Sequence, residues 1–381
     1  MKKYLYIFIL LVSVALAIGA IVLHKQKGNN QSFSQEAADQ SLTSFKEVSK
    51  AQVLEVIEQD AEQNKHYSRI TATLRIKILN GSEKGQEVEA SYDDQLSQPN
   101  LQKIKQGDII IVGKIDSPDG ASYVVVDKYR LPTLWWMFGL FVALALLFGR
   151  VRGATSIVGL AFSIVVLIYF VAPNVLAGKN PNLVILVGAG MIALISILLA
   201  HGFKQRTIIA IISTFITLGL AEGLAYVFVN SAKLLGNSSQ DALYLQQGLL
   251  GGINLQGILL GGIIIGTLGV LNDITTAQAA TVEEIHNTNT NLGFKVLFQK
   301  ASSVGREHIA SLINTLVLVY AGASLPLFLL LTLNKSQPLW ALINSESFAE
   351  EIVRTLIGSI ALILAVPITT ALAAYYFSQK R

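Results

Sequence analysis

The sequence predicts a mainly α-helical membrane protein, an eight-span helical bundle with a small β-barrel-like domain between spans 1 and 2. Hydrophobic residues make up 52% of the chain and charged residues only 14%, whereas soluble domains carry about 25% charged residues. Apolar runs recur along the chain, and several approach the roughly 20 residues that cross a bilayer. One polar segment near the N-terminus alternates apolar and polar residues, as strands do.

The composition also excludes several classes of protein. The net charge of +4 does not indicate nucleic-acid binding, because the basic residues lie mostly where membrane orientation places them. The absence of cysteine excludes disulfides and thiolate metal sites. The sequence has no nucleotide-binding loop, metal-binding His–Glu pattern or nucleophile motif. We therefore expect no enzymatic activity, no cofactor and no metal.

The N-terminal segment, residues 1–23, predicts a membrane anchor in which the apolar run Tyr4–Leu23 follows Lys2 and Lys3. A cleaved signal peptide is the alternative, but its apolar core normally holds only about 7–15 residues. An uncleaved anchor is therefore favoured. Residues 24–50 are rich in glutamine, serine, asparagine and lysine, which predicts a polar linker.

Residues 51–130 predict a small extracytoplasmic β domain. Arg69–Ile78 alternates apolar and polar residues, and Asn80-Gly81 is typical of a hairpin turn. Further strands are predicted at Gln52–Ile57, Glu87–Tyr92, Ile109–Lys114 and Ser122–Lys128. Five short strands favour a small antiparallel barrel, with the OB type as one candidate. Such a domain is either a structural cap for assembly or a binding module for an envelope component or solute.

Residues 131–381 predict a helical membrane domain of seven spans. The spans are expected at Leu134–Gly149, Thr155–Ala172, Leu183–Ala200, Thr207–Val229, Gly248–Leu271, Ile309–Leu333 and Ile352–Phe377. With the N-terminal anchor, an even number of spans places both termini on one side, and the basic residues of the short loops favour the cytoplasm. The sequence thus predicts a bacterial plasma-membrane protein with residues 24–130 outside the cytoplasm. We expect the lipid bilayer to be one of its partners.

The first candidate site follows the glycine-rich run Gly248–Leu271. If the helix continues beyond this run, then Asp273 and Thr276 share a small, polar face suited to the bundle interior. There Asp273 would bind a cation or a proton, with Asn272 beside it. The alternative is that Asp273 caps a new helix that begins at the membrane edge. The sequence also leaves open whether the run is one helix or two halves.

Three further polar residues lie within predicted spans. Glu222 is a candidate proton-relay or ion-binding carboxylate, because an unpaired carboxylate at membrane depth must protonate or find a partner. The alternative is a carboxyl group that is hydrogen-bonded within the bundle or wetted near the outer surface. Asn314 is predicted to hydrogen-bond across helices, in the path or as a packing contact. Gln256 interrupts the glycine-rich run, as in the discontinuous helices of transporters, although tight glycine packing explains the run equally well.

Four residues are structural candidates. Arg306 is predicted to anchor its helix at the cytoplasmic interface. Glu350 and Arg354 are spaced as a favourable i, i+4 ion pair that pins the last span. Pro367 interrupts that span, and it either kinks the helix or frees a carbonyl group inside the bundle.

Several motifs in sequence order resemble the YibE/F-like family of bacterial multipass membrane proteins. The motifs are His201–Thr207, Gly266–Thr276, Gly305–Arg306, Asn314–Gly322 and Leu325–Pro326. The resemblance covers the chain from about residue 51 to the C-terminus, and it implies an outer small domain followed by a multi-span region. It implies no activity.

The residues themselves favour an ion-coupled or small-solute transporter. Its polar path would run beside Asp273 and Glu222, and it would be lined by Asn272, Thr276, Asn314 and Gln256. The alternative is a non-transporting membrane partner that recruits an envelope protein through its outer β domain. Glycine pairs in the run also allow a homo-oligomer. Substrate, direction and coupling ion are not defined by the sequence.

Overall fold

The computed structural model describes residues 45–63, 68–94, 104–117, 120–248, 253–333 and 336–380. The chain divides into two compact units, a barrel unit that extends to Leu144 and a helical unit from Ala145 onward. The predicted membrane anchor, residues 1–23, and nearly all of the predicted linker lie outside the described residues.

The barrel unit is a closed five-stranded barrel, which confirms the predicted small barrel N-terminal to the helices. The strands are β1 Glu47–Gln63, β2 Ser68–Ile78, β3 Glu87–Asp94, β4 Ile109–Ser117 and β5 Gly120–Lys128. Their order is β1-β2-β3-β5-β4, closed by antiparallel pairing of β1 with β4. Only the β3–β5 pair among these strands is parallel. The first strand begins within the segment that was predicted to be a linker.

The strand pattern places one face of each strand in the barrel core. In β2, Leu74, Ile76 and Ile78 are at most 2% exposed, whereas Arg75 and Lys77 face outward. This alternation follows from the two-residue period of a strand. Burial of each large aliphatic side chain contributes about 1.5–3 kcal/mol. The barrel therefore has an apolar core of its own.

A polar cluster joins the β2–β3 turn to strands β4 and β5. Glu83 accepts hydrogen bonds from Lys114 Nζ at 2.6 Å and from the Tyr123 hydroxyl at 2.6 Å. These two bonds hold the pKa of Glu83 below its ordinary value. Burial, followed by the hydrogen bond to Glu83, raises the pKa of Tyr123. Because the Glu83 pKa is lowered on folding, its contribution to stability is present above the ordinary glutamate pKa and is lost as the pH falls through the lowered value.

The helical unit and the residues leading into it contain ten α-helices among the described residues. They are α1 Leu131–Val166, α2 Ala172–Leu176, α3 Pro181–His201, α4 Gln205–Ser231, α5 Gln240–Gly248, α6 Leu255–Thr288, α7 Phe294–Ala323, α8 Leu325–Leu333, α9 Leu339–Ile343 and α10 Glu346–Ser378, with a π-helical turn at Leu167–Val171. Five helical segments are long and apolar enough to cross a membrane, or up to six if one bent pair forms a span. The predicted count of eight spans is not confirmed.

Two local breaks in the helices explain much of the difference between the eight predicted spans and the five or six helical segments in the structure. Arg150 interrupts α1 with non-helical φ and ψ angles of 49° and −131°, and the backbone of Gly153 closely approaches the Ala145 carbonyl group. Two predicted spans lie on either side of this bend. Further along the chain, α7 and α8 meet at an angle of 69°. Pro326 lies at the start of α8, where its missing N–H prevents α7 from continuing.

Helix α6 begins at Leu255 and continues unbroken to Thr288. The predicted start at Gly248 is wrong, since Asn254 acts as the N-cap and its side chain accepts a hydrogen bond from Gly257 N at 2.9 Å. The alternative in which Asp273 caps a new helix is also wrong, because Asp273 lies inside α6. The glycine-rich run is therefore not a single helix: Gly248 ends α5, and the part from Leu255 to Leu271 lies in α6, which continues 17 residues beyond the predicted span.

Helix α6 is the centre of the bundle and packs against α3, α4, α7 and α10. It runs parallel to α3, because Gly261 lies beside Ile185 and Asn272 lies beside Ser196. The large apolar core of the unit includes side chains from most of these helices. Its fully buried members on α6 include Ile263, Ile264, Leu268, Leu271 and Ile274.

We predict that Gly261→Ala destabilises the bundle. A Cβ atom at Gly261 would lie 2.9 Å from Ile185 Cβ, so α3 and α6 would have to separate, and overpacking of this kind costs about 1–3 kcal/mol. Gly262→Ala is the matched control, because it has the same gain in helix propensity and no atom within 4 Å. Thermal unfolding of the full chain in lipid nanodiscs measures the difference. Equal melting temperatures for the two variants would contradict the packing described here.

We also predict that Lys114→Met raises the Glu83 pKa toward its ordinary value, because it removes the largest interaction that lowers it. Carboxyl-carbon NMR titration of the full chain in micelles measures this pKa. Lys77→Met, on the outer face of β2, is the control and should leave the titration of Glu83 unchanged. A Glu83 pKa that does not respond to Lys114→Met would show that the cluster is not formed.

Candidate functional site

The candidate site consists of the polar side chains that lie between α6 and its neighbours. Buried hydroxyl and amide groups occur at Thr207, Ser213, Thr214, Thr217, Thr267, Thr275, Gln278, Ser359, Thr369 and Thr370. They come from α4, α6 and α10, the three helices with the most extensive mutual packing in the unit. A polar group in such an interior must find a hydrogen-bond partner or carry a cost of about 1–3 kcal/mol.

Glu222 has a partner that the sequence did not reveal. Asn182 Nδ2 donates a hydrogen bond of 2.6 Å to Glu222 Oε1. Asn182 is in the first turn of α3, and Glu222 lies about 14 Å along the axis from the C-terminal end of α4. Within the described part of the chain, Glu222 Oε2 and Asn182 Oδ1 are buried and have no donor. Asn182 gave no signal in the sequence because it follows a helix-starting proline and resembles an ordinary capping residue.

Asn272 lies between α6 and α3, as the polar-path prediction requires of it. Its Nδ2 group donates to Ser196 Oγ at 3.2 Å, and its Oδ1 atom is buried with no donor among the described residues. Thr276 Oγ1 donates to the Asn272 carbonyl group at 2.8 Å and thus bonds within its own helix. Asn272 therefore crosses the helix interface, whereas the Thr276 hydroxyl is satisfied locally.

Asp273 does not face the bundle interior, and this part of the sequence prediction is wrong. Asp273 and Gly269 are both exposed on α6, although Thr276 is partly buried. The reason is that the opposite face, with Ile274 and Gln278, holds the packed core. His201, at the end of α3, is close enough to act electrostatically on the Asp273 carboxylate. Asp273 thus lies near the level at which α3 ends.

Gln278 connects three helices, and sequence reasoning did not assign it to the site. Its side chain is fully buried, and Nε2 donates to Ala301 O at 3.0 Å and to Thr370 Oγ1 at 2.7 Å. No donor among the described residues reaches Gln278 Oε1. Gly305 makes this arrangement possible, because a Cβ atom there would lie 3.1–3.2 Å from both amide atoms of Gln278. A glutamine flanked by small residues in a helical run was the available signal.

A hydroxyl pair links α4 to α6 on the same buried face. Thr214 Oγ1 and Thr275 Oγ1 are 2.8 Å apart, and both side chains are fully buried. Thr275 also donates to the Leu271 carbonyl group at 2.8 Å. Since a hydroxyl has one proton, Thr214 is the donor in the pair. This bond joins α4 to α6 within the buried face.

The remaining candidates lie apart from this buried face. Gln256 Nε2 donates to Leu234 O at 2.9 Å and so ties the start of α6 to the preceding loop. Asn314 and Arg306 are both exposed on α7. Asn314 was predicted to line the polar path, but it does not lie among the buried polar groups. Pro367 is exposed within α10, which continues on both sides of it as one helix.

The predicted Glu350–Arg354 ion pair is wrong. Arg354 Nη1 instead bonds to Glu351 Oε1 at 2.7 Å, at a spacing of three residues. Glu350 is only 5% exposed and accepts a hydrogen bond from Ser238 Oγ at 2.5 Å. Helix rotation explains the difference, because Glu350 points toward the loop before α5 while Glu351 remains partly exposed beside Arg354.

These features define a class of protein: a polytopic helical membrane protein with a small N-terminal barrel and buried polar side chains between the helices of its bundle. The profile of the YibE/F-like protein family matches residues 137–379, and that of the YibE/F family N-terminal domain matches residues 44–126. The chain belongs to the YibE/F-like family. No curated protein and no solved structure matches the chain.

We predict that Thr214 and Thr275 are energetically coupled. A double-mutant cycle of Thr214→Val and Thr275→Val should give about 0.6 kcal/mol, and at most about 1.7 kcal/mol, as found for hydrogen bonds between membrane helices. Unfolding of the full chain in bicelles measures the coupling. The control cycle pairs Thr214 with Thr267, whose hydroxyl bonds to Ile263 O and to no other described residue, and its coupling should be near zero. Equal coupling in both cycles would contradict the assigned bond.

Proposed function

We propose that this protein is a transporter that moves a cation or couples solute movement to one. The observation that supports the proposal is a series of buried acceptor oxygens with no donor among the described residues. Five buried amide or carboxyl oxygens have no donor among the described residues; the series consists of four of them, Asn182 Oδ1, Glu222 Oε2, Asn272 Oδ1 and Gln278 Oε1, and the fifth, Glu350 Oε1, lies at the start of α10. All four are oxygen atoms of amide or carboxyl groups.

The chemistry of these atoms favours a positively charged species. An acceptor oxygen is satisfied by a proton or a metal cation, and hard cations prefer oxygen ligands. An anion would instead need donors. Polar groups at membrane depth are costly and are characteristic of ion and substrate pathways. The unmet acceptors therefore support a cation path more directly than they support simple helix packing.

The positions of the acceptors support a path along the length of the bundle. Glu222 and Asn182 lie near the first turn of α3, and Asn272 lies beside Ser196, four turns further along that helix. Gln278 follows Asn272 by about 9 Å along α6. Because Asp273 and Asn314 are exposed, we place them outside this path and retain Asp273 as an electrostatic neighbour at its cytoplasmic end.

We further propose the finer arrangement in the cell. The bend at Arg150 supports two spans within α1 and α2, which with an N-terminal anchor and the α7–α8 pair would give eight. Lysine and arginine near the ends of the helices support cytoplasmic termini in a bacterial plasma membrane. The closed order β1-β2-β3-β5-β4 supports an OB-type barrel, and cytoplasmic termini with eight spans would place residues 24–130 outside the cytoplasm.

The test is transport by purified protein in liposomes under proton, sodium, potassium and magnesium gradients. We predict that one gradient drives flux and that Glu222→Gln lowers this flux at least tenfold. Asp273→Asn is the matched control, because it makes the same charge change on the exposed face of α6, and it should retain most of the flux.

Two outcomes would contradict the proposal. Flux that survives Glu222→Gln would remove the carboxylate from the path. An absence of flux in every gradient, together with loss of the cellular phenotype on deletion of residues 44–130, would favour the non-transporting partner that acts through the barrel.

A further inference from the structure

The Asn182–Glu222 pair has one hydrogen bond where its chemistry provides for two. An amide has one donor nitrogen and one acceptor oxygen, and a protonated carboxyl group has the complementary pair. The bond from Asn182 Nδ2 to Glu222 Oε1, 2.6 Å long, uses half of this complementarity. The remaining two atoms, Asn182 Oδ1 and Glu222 Oε2, are both buried acceptors without a donor.

We propose that Glu222 Oε2 binds a proton and donates it to Asn182 Oδ1, which closes a two-bond ring between the acid and the amide. One proton then satisfies both unpaired atoms. A carboxylate in the same place would leave two buried oxygens without donors, which is unfavourable and most so for the charged one. The pair is therefore a proton-binding site built from two side chains on different helices.

The surrounding backbone holds Asn182 in place for this role. Asn180 caps α3 through a bond from Leu183 N of 3.4 Å, and Pro181 fixes the first helical position. Helix α6 approaches closely at Gly257, where a Cβ atom would lie 3.4 Å from Asn182 N. These contacts fix the backbone at Asn182, from which the side chain reaches Glu222.

The position of the pair at the start of α3 explains how the proton can leave Glu222. Asn182 is in the first turn of α3, where the helix dipole favours a negative charge. A site that only trapped a proton would be useless in a cycle of binding and release. The ring favours the bound state and the start of α3 stabilises the carboxylate after release. The use of this proton as the coupling ion rests on the transport function proposed above, whereas the binding site itself does not.

Infrared spectroscopy of the full protein in lipid tests the site. We expect a carboxylic-acid C=O band that disappears in Glu222→Gln and persists in Glu284→Gln, a control at an exposed glutamate of the same helix bundle. In Asn182→Leu the band should move to higher frequency, because the hydrogen bond to Oε1 is lost. A spectrum unchanged by Glu222→Gln would overturn the proposal.

Thermal unfolding provides a second test that does not depend on a spectral assignment. A glutamine at 222 can accept from Asn182 Nδ2 and donate to Asn182 Oδ1, so Glu222→Gln should melt at or above the wild-type temperature. If a metal cation occupies the two oxygens instead, Glu222→Gln should melt lower, and a carboxylate band should shift when sodium replaces potassium. Either result would overturn the proton assignment. Because neither measurement involves flux, failure here and failure of transport are distinguishable.

Discussion

The structure depends on one constraint, that polar groups inside an apolar helix bundle must be satisfied within it. Thr267, Thr275 and Thr370 meet this constraint locally, because each hydroxyl donates to the carbonyl group four residues earlier in its own helix. Amide and carboxyl oxygens cannot be satisfied in this way, because they need donors and the N–H groups inside a helix already bond to its carbonyl groups. Among the described residues, eleven buried side-chain atoms have no hydrogen-bond partner, and five of them are amide or carboxyl oxygens, including those of Glu222, Asn272 and Gln278.

The close approach of the helices makes this arrangement possible. Gly261 allows α3 to pack against α6, and Gly305 allows α7 to pack against Gln278. In lipid there is little hydrophobic gain from pairing helices, so such contacts rely on small residues and on hydrogen bonds across the interface. The glycines thus serve packing, and the polar groups that they bring together form the candidate site. Gly257 and Gly261 thus support the packing explanation of the glycine-rich run.

The fold was largely predictable from the sequence, and the site was predictable only in part. The alternation in β2 and the apolar runs of α3, α4, α6 and α10 identify their elements through simple periodicity. The rotation of a helix is harder to predict, which is why Asp273 was expected inside and is exposed. Glu222 was found from its charge in an apolar run. Its partner Asn182 lies 40 residues away in sequence, and no local pattern in one sequence contains such a pairing.

The central claim is that the buried polar face of α6 forms a path that water and a cation can enter. Because the chain has no cysteine, labelling of single introduced cysteines by a water-soluble thiol reagent tests this most directly. Gln278 and Ala279 are both fully buried on α6, and only Gln278 carries one of the acceptor oxygens without a donor among the described residues. We predict that Gln278→Cys is labelled in lipid vesicles while Ala279→Cys is protected. Equal protection of both cysteines would contradict the claim that water enters this path, and the buried polar groups would then serve helix packing alone.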